Sequence, residues 1–186
     1  MLFEHKEIII DDNHKLLNRD NLFYKEFQSD FRQVRFFSMV VVQKAPPEIK
    51  EINLLEQQIS ELIKNAVKHG NNKDINKKVR VWAAFDTNFA HVIVEDEGEG
   101  FKKLEDWNEF NKKRTECFEN QDFDAMEKYF AYRTDNSDEN DGGNALFATL
   151  EYWDGGVVFN NKKNCIAVYK NFEKKKHGID LNHSGS

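Results

Sequence analysis

Two short motifs, one in a helical pattern and one at the end of a strand pattern, most constrain how this chain folds. The first runs from Glu61 to Asn65 and places an acid and an amide four positions apart. Residues four apart are neighbours on a helix surface, so both side chains lie on one face. The second motif, Asp96-Glu97-Gly98-Glu99-Gly100, follows a run of β-branched residues. A carboxylate at a strand end, followed by two glycines, predicts a sharp turn or a close approach of a ligand to the backbone.

Length and composition favour one domain. The chain has 186 residues, of which 39% are hydrophobic, including sixteen Phe and three Trp. This is enough apolar material for one hydrophobic core. We therefore predict a single domain over residues 1–173 and a flexible polar tail over 174–186.

Several classes of protein are disfavoured by the sequence. The longest apolar stretch, residues 36–42, is far below the roughly 20 residues that span a bilayer, and the N-terminus carries acids where a signal peptide is basic. The formal net charge of −6 gives no general footprint for nucleic acid. The two widely spaced cysteines form no metal or redox motif, which favours reduced thiols. We predict a soluble cytoplasmic protein without direct contacts to membrane or nucleic acid.

Helical periodicity dominates the first part of the chain. Apolar residues at spacings near three and four predict an amphipathic helix over about residues 14–35. Residues 36–42 fit either a strand or a continuation of that helix, and we predict an N-terminal helical segment over about 14–42. Pro46-Pro47-Glu48 predicts the start of a second helix. That helix carries Glu61 and Asn65 and is predicted to end at His69-Gly70-Asn71-Asn72.

Strand patterns follow in two pairs. Residues 79–85 and 89–94 predict a hairpin turning at Asp86-Thr87-Asn88, and residues 156–159 and 165–169 predict a second one. A short helix is expected over 145–151. Between the first hairpin and this short helix, residues 105–142 carry twelve acids and five bases, a net charge of −7, and predict one or two helices. We therefore expect an α+β fold, with a mixed, mostly antiparallel sheet covered by helices on one face.

The two motifs suggest chemistry as well as fold. Asp96 could accept a hydrogen bond from an exocyclic amine such as that of adenine, although a short glycine pattern also occurs in surface turns. The side-chain oxygen of Asn65 could bind Mg²⁺ together with phosphates. Glu61, one helical turn earlier, could then orient or deprotonate an attacking hydroxyl or water. The alternative is an exposed acid and amide on a solvated helix face.

The run Glu61–Gly70 resembles the N-box helix of the superfamily shared by gyrase, heat-shock chaperone, histidine kinase and mismatch-repair ATPases. It is most similar to the Glu-x-x-x-Asn-Ala-x-x-His-Gly of bacterial anti-sigma-factor serine/threonine kinases. Residues 94–101 resemble the Asp-x-Gly-x-Gly-Phe box of those kinases, and residues 143–146 resemble their Gly-x-Gly-Leu phosphate loop. The resemblance covers about residues 50–101 and 141–170. It implies a two-layer ATP-binding fold of the Bergerat type.

The resemblance also implies roles for individual residues. It implies Glu61 as the catalytic base, Asn65 as the Mg²⁺ ligand and Asp96 as the residue that reads adenine. Further ATP-binding residues are implied in the glycine box, the phosphate loop and the acidic segment: Gly98, Gly100, Arg133, Gly142, Gly143, Asn144, Ala145 and Leu146.

Two departures from the family pattern bear on function. Ala145 replaces the second glycine of the phosphate loop, which leaves the backbone less free to approach a phosphate. Residues 102–142, at the position of the ATP lid, form a longer and more acidic insertion than in the small kinases. Arg133 is the best candidate there for a base that offsets this negative charge.

The resemblance implies a protein serine/threonine kinase that uses Mg-ATP to phosphorylate a small antagonist protein and regulates a sigma factor or similar partner. It leaves open whether the N-terminal helical segment forms a homodimer. Because of Ala145 and the acidic insertion, the alternative is an ATP-binding protein-interaction switch with weak or no catalysis.

Overall fold

A six-stranded sheet forms the centre of the molecule. The computed structural model describes residues 6–129 and 143–172. Within these ranges the strands lie in the order β1-β5-β6-β4-β3-β2. All neighbours are antiparallel except β1 and β5. The strand bounds are β1 Ile9–Ile10, β2 Phe23–Gln28, β3 Lys78–Phe85, β4 Phe89–Glu95, β5 Gly156–Phe159 and β6 Cys165–Asn171.

The helices lie between these strands in the chain. The α-helices are α1 Val34–Val42, α2 Ile52–Asn65, α3 Leu104–Glu119, α4 Phe123–Met126 and α5 Gly143–Tyr152. Within the described residues, three short 3₁₀ turns occur at Lys15–Leu17, Phe31–Gln33 and Glu127–Tyr129. A π-helical turn, Ala66–Gly70, directly continues α2. None of the helices in the described ranges combines the length and apolar character needed to cross a bilayer.

The main core lies between the sheet and helices α1, α2, α3 and α5. On β3, alternate residues face this core, and Val79, Val81 and Ala83 are almost fully buried. Leu55, Ile59 and Ile63 supply the buried face of α2. The same core includes Leu104 and Trp107 of α3 and Leu146 and Leu150 of α5. The predicted α+β fold, with a mostly antiparallel sheet and helices on one face, is therefore confirmed.

A smaller apolar cluster covers the opposite face of the sheet. Leu16, from the first 3₁₀ turn, packs with Ile93 of β4, Val158 of β5 and Ala167 of β6. The guanidinium of Arg19 lies 4.0 Å from the centre of the Trp82 ring on β3. The segment between β1 and β2 thus crosses the second face, which the sequence did not predict.

The predicted helix over residues 14–35 is wrong. Phe23–Gln28 is instead an edge strand, paired antiparallel with β3 from Phe23 opposite Ala83 to Gln28 opposite Lys78. Residues four apart share a face in a strand as well as in a helix. The spacing of Phe23 and Phe27 therefore could not separate the two structures.

The boundaries of the next two helices also differ from expectation. Residues 36–42, which fit either structure, belong to helix α1, where Phe37 and Val41 are buried. Pro46 and Pro47 do not start α2, which begins at Ile52. They form a separate turn in which the Ile49 N–H donates to the Pro46 carbonyl at 3.2 Å.

The remaining local predictions agree with the structure. Both hairpins form, and Asp86 closes the first one by accepting the Asn88 N–H at 3.1 Å. The described part of the acidic segment contains α3 and α4, and the short helix predicted at 145–151 is α5. The predictions for Arg133, Gly142 and the tail over 174–186 lie outside the described residues.

Candidate nucleotide site

Helix α2 presents Glu61 on its exposed face. The apolar residues of α2 hold it against the sheet, so Glu61 points away from the core, with a side chain that is 50% exposed. Both carboxylate oxygens lie near Lys64, at 3.4 and 3.3 Å from its Nζ. The candidate base Glu61 therefore forms an ion pair with Lys64 of the same helix.

Asn65 is the last α-helical residue before the π-helical turn Ala66–Gly70. Such turns within helices are often found at functional sites, because they shift the side chains that follow. The Asn65 side chain is partly exposed, and among residues 6–129 and 143–172 it forms no hydrogen bond. Its amide oxygen is therefore available to an added ligand.

The end of this π-helical turn touches the loop that carries Asp96. A Cβ atom added to Gly70 would lie 2.2 Å from both Cγ and Oδ2 of Asp96, and one added to Gly98 would lie 2.0 Å from the Gly70 carbonyl oxygen. Only glycine allows this approach on both sides. The structure thus brings together the two motifs that the sequence singled out.

Asn71 joins the same two segments by hydrogen bonds. It is fully buried, and its Oδ1 accepts the Glu97 N–H at 2.8 Å. Its Nδ2 donates to the Lys78 carbonyl at 2.9 Å. The sequence did not predict this role. The only local signal is its position directly after Gly70, which predicts a helix end.

The position of Asp96 is fixed mainly by hydrogen bonds between its backbone and Asn164. Its N–H donates to the Asn164 carbonyl at 2.9 Å, and its carbonyl accepts Asn164 Nδ2 at 2.8 Å. The side-chain oxygen Oδ1 accepts the Gly98 N–H at 2.8 Å. Within the described ranges no group donates a hydrogen bond to Oδ2. Asn164, in the turn between β5 and β6, is a second positioning residue that the sequence did not reveal.

Burial changes the acidity of Asp96. Desolvation raises the pKa of its carboxyl to about 6, against the opposing effects of the Gly98 N–H and of Lys162 and Lys77. A partly dehydrated carboxyl with one oxygen uncommitted is a costly arrangement in the absence of a ligand. A donor N–H on a bound molecule would satisfy that oxygen.

Gly98 and Gly100 make contacts within the protein rather than leaving an open space. At Gly100, φ is +98° and an added Cβ would lie 1.8 Å from the Lys162 carbonyl oxygen. The Phe101 N–H donates to the Lys163 carbonyl at 2.8 Å. The glycine box is therefore folded against the β5–β6 turn. Its glycines shape the site through the path of the Asp96 loop.

The predicted phosphate loop leads into a helix. Gly143 is the first residue of α5, so Ala145 lies in its first turn, and its φ is not in the left-handed region. Alanine suits such a position, and the departure from glycine at Ala145 requires no unusual backbone. Leu146 is 4% exposed and packs in the core, so only its backbone could meet a phosphate. Asn144 is in the same first turn.

Comparison with known proteins agrees with this geometry. A family model described as histidine kinase-like ATPase domain matches residues 28–170. The match includes α2, the Asp96 loop and α5, and it begins near the end of β2. No curated protein matches the chain.

Proposed function

The chain belongs to the histidine kinase-like ATPase domain family, and from this premise we propose that it is an anti-sigma-factor-type protein serine/threonine kinase. Membership of the family identifies ATP as the nucleotide of the site. The finer proposal is that the chain uses Mg-ATP to phosphorylate a small antagonist protein. In doing so it regulates a sigma factor or a similar partner.

The observation that carries the proposal is the junction between Gly70 and Asp96. There, a helix bearing Glu61 and Asn65 ends against a desolvated carboxyl that has one oxygen uncommitted. The exocyclic amine of adenine is a donor of the kind that Asp96 Oδ2 lacks. Asp96 would therefore recognise the base, in agreement with the role that the sequence resemblance implies.

The residues at the end of α2 also suit a magnesium ion. Mg²⁺ takes few protein ligands, prefers oxygen, and shares its coordination with phosphates and water. The free amide of Asn65 offers one such oxygen, and the ion would neutralise phosphate charge when bound. The N-terminus of α5, at Gly143, presents backbone N–H groups that favour an anion. Asn65 would thus hold the phosphates through the magnesium ion, and the backbone at Gly143 would hold them through its N–H groups.

Glu61 is the proposed general base. In the transfer, a serine or threonine Oγ of the antagonist protein forms a bond to the γ-phosphorus while the bond to the β-phosphate oxygen breaks. Glu61 accepts the hydroxyl proton, and ADP leaves. Lys64 must yield part of its ion pair with Glu61 for this step. The partly exposed position of Glu61 leaves room for that change.

The Lys64 ion pair is also the observation that favours a second candidate function. With both oxygens of Glu61 near Lys64, the chain would bind Mg-ATP without transferring the phosphate. It would then act as an ATP-dependent interaction switch, with the exposed acidic residues of α3 as a docking surface. Calorimetry and phosphotransfer together separate the two candidates.

The decisive experiment mixes the purified chain with labelled Mg-ATP and small proteins encoded by neighbouring genes. We expect acid-stable phosphoserine or phosphothreonine on one of them, formed at least about 100-fold more slowly by Glu61→Gln. Glu56→Gln is the matched control. Glu56 lies on the same helix and forms an ion pair with Arg35 at 4.0 Å. Its loss should leave the transfer unchanged.

The outcomes are distinct. Transfer that is equally fast in Glu61→Gln would refute the assigned base. Tight ATP binding without transfer to any of these proteins would favour the switch. Absence of ATP binding would overturn both.

A further inference from the structure

Residues 6–22, which we call the strap, precede the region that the family model matches, residues 28–170. The strap contains β1, which extends the sheet beyond β5, and the 3₁₀ turn Lys15–Leu17. It then crosses the second face of the sheet to reach β2 at the opposite edge. His91, on β4, anchors this crossing by donating from Nε2 to the Leu16 carbonyl at 2.8 Å. The strap is therefore an ordered addition to the family domain.

Helix α3 binds the start of the strap through two asparagine side chains. Asn108 Oδ1 accepts the Ile8 N–H at 3.1 Å, and its Nδ2 donates to the Ile8 carbonyl at 2.7 Å. A single amide thus satisfies both backbone groups of one residue, as a neighbouring strand would. Asn111 is 7% exposed and donates to the Lys6 carbonyl at 2.8 Å. These contacts join the N-terminal segment to the helix that follows the Asp96 box.

The strap also binds the turn between β5 and β6. The Asp11 N–H donates to the Phe159 carbonyl at 3.0 Å, and Asp12 Oδ1 accepts the Asn161 N–H at 2.7 Å. Three residues further on, Asn164 forms two hydrogen bonds with the Asp96 backbone. The strap therefore contacts the turn that holds Asp96 in position.

Helix α3 in turn packs against the helix that begins at Gly143. The rings of Trp107 and Phe147 lie 4.8 Å apart, and Trp107 is fully buried. Glu105, in the first turn of α3, forms an ion pair with Lys163 of the β5–β6 turn. Through α3 and this turn, the strap reaches both the Asp96 loop and α5.

We propose that the strap positions the nucleotide site, and that Asn108 and Asn111 are positioning residues that act through α3. They hold α3 against the strap, and so keep the Asp96 loop, the β5–β6 turn and the start of α5 in one arrangement. The consequence is slow release of the bound nucleotide. This inference rests on the proposed ATP-binding function and adds a determinant that lies outside the family match.

The test compares nucleotide release in the full chain and in the Asn108→Ala/Asn111→Ala variant. The probe is an ATP analogue with a fluorescent group on the ribose, bound with Mg²⁺ and chased with unlabelled ATP in a stopped-flow instrument. We expect dissociation to be about tenfold faster in the variant, as loss of a few hydrogen bonds would produce. Asn108→Asp keeps the side-chain size and the acceptor for the Ile8 N–H, but it sets a carboxylate oxygen against the Ile8 carbonyl in place of the Nδ2 donor. It should therefore also release the analogue faster.

Asn88→Ala is the matched control. Its side chain also makes an amide hydrogen bond, to Asp86 at 3.0 Å, but at the end of β4 remote from Asp96. It should release the analogue at the wild-type rate. Hydrogen exchange of the nucleotide-free proteins gives a second readout. In the double variant, amides of residues 104–119 and 160–164 should exchange faster while those of β3 remain protected.

The results separate this inference from the function on which it rests. If the wild-type chain does not bind the analogue, the proposed function fails and this inference fails with it. If the wild type binds and the double variant releases the analogue at the same rate, the strap inference alone is overturned. If the double variant does not fold, Asn108→Asp decides, and an unchanged release rate in that variant overturns the inference. A change in unfolding temperature without a change in the release rate would mean that Asn108 and Asn111 have a structural role only, and it would overturn the inference.

Discussion

The two ends of strand β4 differ in how their polar groups are satisfied. At the end that leads to Asp96, the amide of Asn71 is buried and one carboxylate oxygen of Asp96 accepts no hydrogen bond from the described residues. At the start, near Asn88, the polar side chains are exposed and form hydrogen bonds with one another. The first end uses Gly70, Gly98 and the buried Asn71 to bring backbone segments into contact. The second is a turn in which Asp86 accepts from Thr87 and Asn88. The strand β4 thus begins at an ordinary hairpin turn and, seven residues later, leads into the candidate site.

This difference is the reason for placing the candidate site at the Asp96 end of the strand. A hairpin turn needs only to reverse the chain, and short Asx hydrogen bonds in solvent do so at little cost. The Asp96 end partly buries a carboxyl and raises its pKa, which is unfavourable in the absence of a ligand. Unfavourable local features that the surrounding structure tolerates are concentrated at functional sites.

The largest expected effect comes from removing the buried amide at the Asp96 end. Asn71→Ala should lower the free energy of unfolding by about 1–3 kcal/mol, because the Glu97 N–H and the Lys78 carbonyl lose their partner in a buried setting. Asn88→Ala should lower the free energy of unfolding by only about 0.3 kcal/mol, because the Asn88 side chain is exposed. Urea unfolding of both variants checks this. Equal losses would mean that the two ends are not built differently.

A smaller effect is expected from the pH dependence of Asp96. Its folded-state pKa is raised to about 6, so the folded state binds the proton more tightly than the unfolded chain. The stability contributed by this group is fully present below the unfolded pKa of about 4 and is lost as the pH rises through the folded pKa. Asp96→Asn removes this dependence.

The measurement is the unfolding free energy of wild type and Asp96→Asn across that window. Between about pH 4 and pH 7, the wild type should lose about 1–2 kcal/mol relative to the variant. Asn88→Ala, which removes no titratable group, is the control at the other end of the strand and should show the pH dependence of the wild type. Parallel curves for the wild type and Asp96→Asn would show that Asp96 is not desolvated.

Sequence patterns predicted the elements whose signals are local. Helix α2 and both hairpins followed from periodicity and turn residues. The strand β2 was assigned to a helix because Phe23 and Phe27 share a face in either structure. The two-residue strand β1 gave no pattern, since its pairing with β5 joins residues about 150 positions apart, Ile9 with Val158.

The motifs of the candidate site were recognisable from the sequence for the same reason. Glu61, Asn65 and Asp96 lie within short, ordered runs. Asn71 and Asn164 were not recognised, because their roles depend on contacts between separate loops. Ala145 appeared to disturb a glycine loop, yet the structure places it in a helix, where the side chain is favourable.

The central claim is that Asp96 recognises a nucleotide base, and calorimetric titration with Mg-ATP tests it most directly. Wild type and Asp86→Asn should bind with the same affinity. Asp96→Asn, which has nearly the same size but replaces one acceptor oxygen with a donor, should bind at least about tenfold more weakly. Equal affinity of Asp96→Asn and the wild type, or no binding by either, would contradict the account.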